Sequence, residues 1–395
     1  MQIILTSNYS PWSNYCGGGQ LSTHHLATSL TRLGYQVDVV FTRAIAETIE
    51  VPDNLPYKLH WTCFPGLKSR RNSSFRRFSS IGVYYKVKKL INESNKPVVT
   101  HANGEEAALL STLHGKSGFK LVVTPRYPNL DRVQHQIPNP VSSLLSFRTA
   151  RMKLLGLTLN GADEIVPTSS YTRKLVKKHF HFCRDRQMKV IANGVSDSFF
   201  KASWKGDLRQ GPILFYGRLE KAKGVDLVLK AYKQLSEKID NPLWIAGRGT
   251  QERKIRSFIT RYNLDQRVRL LPWQNQDTIR SFLEQSSMTV LPSREESFGN
   301  TVAESMAAGV PTLSSRAGSV PELITDQQNG FLVESDHTQV LADKIHNTLA
   351  SPKQTKTIAE NAKKSARYRF DWLKIARQHA DIYETLLAAD RQILK

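Results

Sequence analysis

Two glutamates at a fixed spacing are the strongest chemical signal in this sequence. Glu296 and Glu304 lie in the segment SREESFGNTVAESMAAG, residues 293–309, which follows an apolar run ending at Leu291. Carboxylates accept hydrogen bonds from hydroxyl groups. Glu296 precedes a predicted helix and Glu304 falls on its second turn, so one can face a sugar and the other a ribose. Such a spacing alone is more typical of a capped helix with two solvated carboxylates, so the flanking residues matter.

The same segment predicts a phosphate site at a helix start. Asn300 is expected to cap a helix that ends at Gly309. The first N–H groups of a helix attract anions, and Gly299 has no Cβ to keep a ligand away. We therefore expect the run from Phe298 to Thr301 to contact a diphosphate.

Two cations open the second half of the chain, in FYGRLEKAKG at 215–224. Arg218 and Lys223 are five residues apart across a loop bounded by glycines. Arginine offers a planar fork of donors and lysine a point charge, so both can converge on one diphosphate. Taken alone, the pattern is also typical of surface cations.

Two further glycine turns lie next to predicted strands. Gly247 and Gly249 belong to WIAGRG at 244–249, and Gly18 and Gly19 to CGGGQ at 16–20. Glycines let backbone N–H groups approach a phosphate or sugar closely. A tight turn at the first site and a flexible loop at the second are the alternative interpretations.

Together these motifs resemble family 4 glycosyltransferases, which are retaining enzymes of the GT-B fold. The family signature is a glutamate before Phe-Gly and a second glutamate eight positions later, here within PSREESFG and the helix before AAGVP. The resemblance implies that Glu296 contacts the donor sugar and Glu304 the nucleotide ribose. It also matches Arg218 and Lys223 to the phosphate-binding motif G-R-x4-K-G. The implied donor substrate is a UDP- or GDP-sugar, with no separate cofactor.

The resemblance extends to the first half of the chain through looser motifs. The family has a Gly-Gly pair where Gly18 and Gly19 stand. His101, at the end of a predicted strand, matches a histidine that lines the acceptor side of the cleft, and we expect it to be catalytic. After the next strand, many members have a histidine where this chain has Arg126. Arg126 can meet an anionic acceptor or the leaving phosphate, but the role of that histidine does not transfer to it.

The sequence contains no Asp-x-Asp pair. Sugar transferases of the other common fold use such a pair to hold a divalent ion, so we expect no metal. Charge on the departing nucleoside diphosphate is then met by Arg218, Lys223 and the helix start near Asn300. The resemblance implies retention of configuration, and no residue is evident as a covalent nucleophile. We expect attack on the face from which the phosphate leaves.

The elements that must position these residues alternate as strands and helices, which predicts βαβ units and parallel sheets. The predicted strands of the first half are Gln2–Ser7, Val37–Phe41, Pro97–His101, Leu121–Thr124, Glu164–Thr168 and Lys189–Ala192. Those of the second half are Pro212–Tyr216, Leu243–Ala246, Val268–Leu271, Met288–Leu291, Pro311–Ser314 and Gly330–Val333. The expected fold is α/β, with two doubly wound Rossmann-like domains whose strands end at a shared cleft.

The predicted domains are 1–200 on the acceptor side and 212–369 for the nucleotide sugar, joined by a polar linker at 201–211. Helical spacing of apolar residues predicts a closing helix within 370–395, and the family resemblance implies that this helix crosses back to the first domain. A chain of 395 residues suits two such domains.

Composition and cysteines indicate a cytoplasmic protein. Hydrophobic residues make up 40% of the chain and charged residues 23%. Cys16, Cys63 and Cys183 form no C-x-x-C pair, so neither a disulfide framework nor a zinc site is indicated. The chain opens on a predicted strand without the basic region of a signal peptide, and no window resembles a transmembrane segment.

Positive charge is concentrated in the first half. The net charge is +22, and residues 1–205 hold 28 Lys and Arg against 12 Asp and Glu, whereas residues 206–395 hold 28 against 22. The stretch Lys68–Lys89 mixes cations with aromatic side chains, and residues Phe75 to Leu90 predict an interfacial helix on the inner face of an anionic membrane. A lipid-linked or other glycan acceptor in cell-envelope polysaccharide or lipopolysaccharide synthesis fits that placement. A solvated basic helix is the alternative.

Two other functions compete with transfer of a hexose-type sugar. Nucleotide-sugar epimerases share the architecture and alter the donor sugar without an acceptor, so product analysis separates them from transferases. The basic charge also suggests a nucleic-acid-binding protein. No binding motif supports that function, and we expect no nucleic-acid partner. Donor base, acceptor identity and oligomeric state are not indicated.

Overall fold

The computed structural model describes residues 1–13, 16–65, 78–116, 118–126, 147–334 and 336–393. The chain forms two compact units. Unit 1 comprises Met1–Gly194 together with Trp372–Lys395, and unit 2 comprises Val195–Asp371. The chain therefore enters unit 2 once and returns to unit 1 for its last helix, whereas the sequence placed the linker at 201–211.

Unit 1 is built on a parallel sheet of six strands in the order β3-β2-β1-β4-β5-β6. The strands are β1 (Gln2–Ser7), β2 (Gln36–Ala44), β3 (Lys58–Phe64), β4 (Val98–Ala102), β5 (Phe119–Val123) and β6 (Glu164–Ile165). Its helices are α1 (Gly18–Arg32), α2 (Ser79–Asn92), α3 (Phe147–Asn160), α4 (Ser170–His179) and α13 (Trp372–Ile393), with a 3-10 helix at Glu105–Leu113.

Unit 2 repeats this architecture with the strand order β12-β11-β10-β7-β8-β9. The strands are β7 (Ile213–Arg218), β8 (Leu243–Arg248), β9 (Val268–Leu271), β10 (Met288–Leu291), β11 (Thr312–Ser315) and β12 (Phe331–Val333). The longer helices are α6 (Val225–Leu235), α7 (Glu252–Arg261), α8 (Gln276–Gln285), α9 (Asn300–Ala308), α11 (Thr338–Ala350) and α12 (Pro352–Arg369). Two short helices complete it, α5 (Asp197–Phe200) and α10 (Val320–Leu323).

Helices cover both faces of the first sheet because its strands are apolar on both faces. Successive side chains of a strand point to opposite sides. Ile4 packs in a cluster with Val83 and Val87 of α2, whereas Ile3 and Leu5 pack in a second cluster on the opposite face. That second cluster includes residues of α1 and of α13. Unit 1 thus has a hydrophobic core on each face of its sheet, as parallel sheets require.

In the first half one strand prediction was wrong and one strand was missed. Lys189–Ala192 is irregular, and Ile191 is joined to the preceding segment by a backbone hydrogen bond of 3.0 Å to the carbonyl of Pro167. An apolar run can be buried without forming a strand. Conversely, β3 was not predicted, because it is an edge strand whose Lys58 and Cys63 are exposed. All six strands predicted for the second half are confirmed.

Candidate active site

The carboxyl ends of β7 and β10 bring two predicted site residues into contact. Lys223 Nζ lies 2.5 Å from Glu296 Oε1, and the Glu296 side chain is 7% exposed. The Ser293 hydroxyl donates to the same carboxylate oxygen at 2.8 Å. The backbone N–H of Ser319 donates to the Glu296 carbonyl at 3.1 Å. Glu296 is therefore fixed by its main chain and charge-paired through its side chain.

Helix α9 begins directly beyond this pair. Gly299 is the N-cap, with φ 92 and ψ 54 in the left-handed region that disfavours residues with a Cβ. Asn300 is the first helical residue, so its prediction as the capping residue was wrong. No acidic residue lies in the first turn. The first N–H groups of α9 can therefore meet an anion.

Phe298 and Thr301 have different surroundings, although both were predicted ligand contacts. Phe298 is 4% exposed and packs edge-on against Phe370, with ring centroids 5.7 Å apart. Its side chain anchors the turn from inside the unit. The Thr301 carbonyl lies 2.7 Å from the hydroxyl of Tyr216.

Glu304 lies on the second turn of α9 beside Tyr216. The Tyr216 hydroxyl is 3.3 Å from Glu304 Oε2 and 3.1 Å from the Ser305 hydroxyl. Burial raises the pKa of Glu304 to about 8, and the Tyr216 hydrogen bond opposes that rise. Glu304 is thus a carboxyl group that titrates near neutral pH at the end of β7.

Arg218 is the last residue of β7, and its side chain is exposed. Among the described residues its guanidinium has no hydrogen-bond or ion-pair partner. The loop that follows leads through Lys223 to α6. The preceding residue, Gly217, lies close to the start of α9, since a Cβ there would stand 3.6 Å from Thr301 Cγ2. An exposed cation with no acidic partner is suited to an anionic ligand.

The loop carrying Lys223 is held by an arginine that the sequence analysis missed. Arg294 donates from Nη1 and Nη2 to the two carboxylate oxygens of Asp226, at 2.7 and 2.9 Å. It also donates to Asp336 at 2.5 Å and to the Lys221 carbonyl at 2.6 Å. One side chain thereby ties together the loops after β7, β10 and β12. Only long-range contacts reveal this role, and the sequence around Arg294 carries no signal for it.

Gly247 and Gly249 lie where β8 ends against the end of β7. A Cβ at Gly247 would stand 1.9 Å from the Gly217 carbonyl oxygen, and one at Gly249 would stand 2.3 Å from the Leu219 carbonyl oxygen. Close packing of two backbones therefore accounts for both glycines. Their predicted contact with the nucleotide stays a prediction.

The predicted site residues of unit 1 lie at the carboxyl ends of its strands. Gly18 and Gly19 are the first two residues of α1. His101 is 4% exposed, with Nδ1 at 2.5 Å from the Tyr383 hydroxyl and Nε2 at 2.7 Å from the Thr124 hydroxyl. Burial holds its pKa well below the usual range. Both ring nitrogens are engaged within the unit, so this geometry gives no support to a catalytic role for His101.

The basic stretch Lys68–Lys89 lies partly outside the described residues, which resume at residue 78. Within α2, Val83, Val87 and Leu90 are buried, whereas Lys88 and Lys89 are exposed. In the described ranges no helix is both long and apolar enough to cross a membrane. The same part of the chain contains no cluster of three or more His, Cys, Asp or Glu side chains that could hold a metal ion.

Two family models match successive parts of the chain. The model for Glycosyltransferase Family 4 matches residues 16–199, and the model for Glycosyl transferases group 1 matches residues 198–365. Together they span most of both units. The matched segments include the glycine turn of α1 and the Lys223–Glu296 pair.

Individual proteins resemble this chain over nearly its whole length. An uncharacterized glycosyltransferase of Methanocaldococcus jannaschii is 28% identical, over 98% of this chain and 99% of its own length. Sucrose-phosphate synthase of Thermosynechococcus elongatus has a similar structure, with a TM-score of 0.80 and 21% identity over 98% of this chain and 99% of that one. The HepE protein of Anabaena, solved with UDP and glucose, superimposes with a TM-score of 0.75 and 19% identity over 97% and 99% of the two chains.

Proposed function

Since the chain belongs to the group 1 glycosyltransferases of family 4 and has their GT-B fold, we propose that it is a retaining hexosyltransferase that uses a UDP- or GDP-sugar. The observation that carries the proposal is the Lys223–Glu296 contact beside the N-terminus of α9. That contact joins a group suited to phosphate with a group suited to sugar hydroxyls. The HepE protein holds UDP and glucose, which favours a UDP-sugar.

The donor diphosphate is proposed to bind at the first N–H groups of α9. Lys223 supplies a partly buried positive charge there, and the exposed Arg218 supplies a second one. Fixed cations and N–H donors stabilise a departing diphosphate without having to reorganise. This arrangement supports a metal-independent reaction.

Glu296 and Glu304 are proposed to recognise the two sugars of the donor. Glu296 accepts hydrogen bonds from hydroxyls of the transferred hexose, and Glu304 accepts them from the ribose. The Tyr216 hydroxyl, 3.3 Å from Glu304 Oε2, positions this carboxylate. Charge-assisted bonds of this kind are stronger than those between neutral groups.

The reaction then needs one bond to break and one to form at the anomeric carbon. The bond from that carbon to the diphosphate oxygen breaks, and the negative charge falls on the phosphate. The acceptor hydroxyl attacks from the same face and passes its proton to the leaving phosphate oxygen. A glycosyl–enzyme adduct trapped and seen by mass spectrometry would contradict this mechanism.

Product analysis tests the proposed function. The protein is incubated with a panel of UDP- and GDP-hexoses, and products are followed by mass spectrometry and by proton NMR of the released sugar. We expect slow formation of nucleoside diphosphate and free hexose in the donor's anomeric configuration. Lys223→Ala should abolish this turnover, whereas Lys238→Ala, a control at an exposed site, should not. Conversion of the donor to an epimeric nucleotide sugar would instead establish the epimerase.

The exposed face of α2 supports a membrane-associated acceptor. Ile81 is 46% exposed and Tyr85 67% exposed, and Lys88 and Lys89 continue the same face. An apolar row next to cations is typical of a helix lying at an anionic bilayer surface. We expect co-sedimentation with vesicles containing phosphatidylglycerol, loss of binding at high salt, and weaker binding of Ile81→Ser/Tyr85→Ser. Vesicle binding that is independent of both the anionic lipid content and the salt concentration would exclude association with an anionic membrane surface.

A further inference from the structure

Arg126 lies at the carboxyl end of the unit 1 sheet and is held by neutral groups. Its Nε donates to Asn103 Oδ1 at 2.7 Å and its Nη1 to Asn193 Oδ1 at 2.9 Å. Asn103 follows β4 and Arg126 follows β5, so adjacent strand ends supply both residues. Among the described residues no carboxylate forms an ion pair with this guanidinium.

Arg126 keeps its positive charge at neutral pH, although burial disfavours the charged form. Burial lowers the pKa of Arg126 to about 10, and nearby Glu106 opposes the shift. A group with that pKa remains a cation at neutral pH. Glu106 is itself engaged, since its Oε1 accepts from the backbone N–H of Asn103 at 2.8 Å. A partly buried cation without a paired anion has lost hydration that nothing replaces, which is energetically costly.

A second positive feature adjoins the first. A Cβ at Gly19 would stand 3.2 Å from Arg126 Cδ, so the arginine side chain lies against the first turn of α1. The N-terminus of a helix carries a partial positive charge and unpaired N–H groups. The first turn of α1 contains no acidic residue. Two positive features therefore share one location, where they repel each other and attract an anion.

The neighbouring histidines do not alter that charge. Burial and the Arg126 charge lower the pKa of His379 to about 3, and the pKa of His101 is also lowered well below its usual range. Both imidazoles stay neutral at physiological pH. The positive charge at this position is that of Arg126 and the helix start.

We propose that Arg126 and the N-terminus of α1 bind an oxyanion, a phosphate or carboxylate group, on the acceptor. This inference rests on the proposed transferase function only in assigning the anion to the acceptor. Lys223, Arg218 and the start of α9, proposed above for the donor diphosphate, belong to unit 2. Arg126 belongs to unit 1, as do Gly18 and Gly19 at the start of α1, which the sequence predicted to approach a phosphate or sugar and which are assigned here to the acceptor. The acceptor is therefore an anionic molecule rather than a neutral sugar.

Anion titration of the whole protein tests the site. Inorganic phosphate and malonate are titrated separately by calorimetry, with saturating UDP present to occupy the donor site and again without nucleotide. We expect wild type to bind at least one of them with UDP present, and Arg126→Gln to weaken that binding about tenfold or more. Arg184→Gln, the same change at an exposed arginine of unit 1, should bind as wild type does.

The outcomes separate the possible sources of the anion. Unchanged anion binding by Arg126→Gln, or no binding by wild type with or without UDP, would overturn the proposal. If Arg126→Gln weakens UDP binding instead, the anion belongs to the donor and the acceptor assignment is wrong. If wild type binds phosphate but no nucleotide, the anion site stands and the transferase function fails. If Arg126→Gln does not fold, Arg126→Lys takes its place. Lysine keeps the charge but not the arginine fork, so this variant should bind the anion detectably but more weakly than wild type, and an affinity equal to that of wild type would overturn the proposal.

Discussion

Burial raises the pKa of the Glu304 carboxyl group to about 8, so this group is mostly protonated at pH 7. Ribose hydroxyls donate best to the charged form, so nucleotide binding must lower that pKa and release a proton. The protonated form competes with binding, and nucleotide affinity should therefore rise from pH 6 to pH 8 and level off above pH 8. At pH 7 we expect release of a proton on nucleotide binding, up to one per nucleotide bound.

Calorimetry in buffers of different ionisation enthalpy measures that release. Glu304→Gln should bind nucleotide with no buffer dependence. Tyr216→Phe removes a hydrogen bond that lowers the pKa of Glu304, so its affinity curve should move to higher pH. A wild-type binding heat that is the same in every buffer would contradict this role for Glu304.

Substitution of Glu296 should separate recognition of the donor sugar from recognition of the donor diphosphate. In Glu296→Gln, Lys223 loses the carboxylate that lies 2.5 Å away and is free to pair with phosphate. We expect nucleoside diphosphate affinity to be equal to or tighter than that of wild type, while kcat for donor turnover falls about a hundredfold. Glu237→Gln, at an exposed site of the same unit, should change neither. A parallel loss of UDP affinity and kcat would place Glu296 at the phosphate instead.

The residues that sequence could predict are those in local motifs. Glu296, Glu304 and Lys223 stand at fixed spacings around a strand end and a helix start, so their positions follow from short-range structure. Tyr216 and Arg294 act across about 70 to 90 positions of sequence, through contacts set by the parallel strand order. No local pattern encodes such contacts.

At the scale of elements, helix α9 has left-handed glycines at both ends, and they provide a matched pair of tests. Gly299 has φ 92 at its start and Gly309 φ 73 at its end, and a Cβ at either would lie 3.1 Å from a neighbouring side chain. Alanine at either site should lower the free energy of unfolding by about 1 to 2 kcal/mol. Only Gly299→Ala should also weaken nucleotide binding, because it disturbs the N–H groups proposed to hold the diphosphate.

Urea unfolding followed by tryptophan fluorescence, with UDP titration of each variant, measures both effects. Equal losses of UDP affinity in the two variants, or no loss in either, would show that the start of α9 is not the phosphate site.

Strand prediction was most successful where both faces of a strand are buried. The strands β10 and β12 are short, mainly apolar runs that are buried at every position, so their sequences leave little choice of structure. The edge strand β3, KLHWTCF, is only partly buried and has no continuous apolar run, so it lacks the signal by which the other strands were predicted. The segment Lys189–Ala192 shows the converse error, because burial of an apolar run does not require a strand partner.

At the scale of the whole molecule, the last helix belongs to the unit in which the chain begins. Trp372, Ile375 and Tyr383 of α13 are buried in the unit 1 core. Tyr383→Phe removes the hydrogen bond to His101 Nδ1 and should lower the free energy of unfolding by about 1 to 3 kcal/mol. Nucleotide affinity should not change, because the proposed donor site lies in unit 2. A variant of normal stability that fails to bind nucleotide would contradict this separation.

The prediction of a closing helix came from its 3.6-residue apolar period, which is a local property. The chain's return from unit 2 to unit 1 at Asp371 is a property of the whole fold. The family resemblance supplied that expectation, and the amino-acid periodicity alone did not.

The most direct test of the account is nucleotide binding by three forms of the protein. UDP and GDP are titrated into wild type, Glu304→Gln and the exposed-site control Glu237→Gln at pH 8.5, above the Glu304 pKa of about 8. Wild type should bind one of the two nucleotides, and the control should bind the same nucleotide with the same affinity. Glu304→Gln should bind that nucleotide at least about tenfold more weakly than wild type does. Failure of wild type to bind either nucleotide, or equal binding by all three proteins, would contradict the proposed donor site.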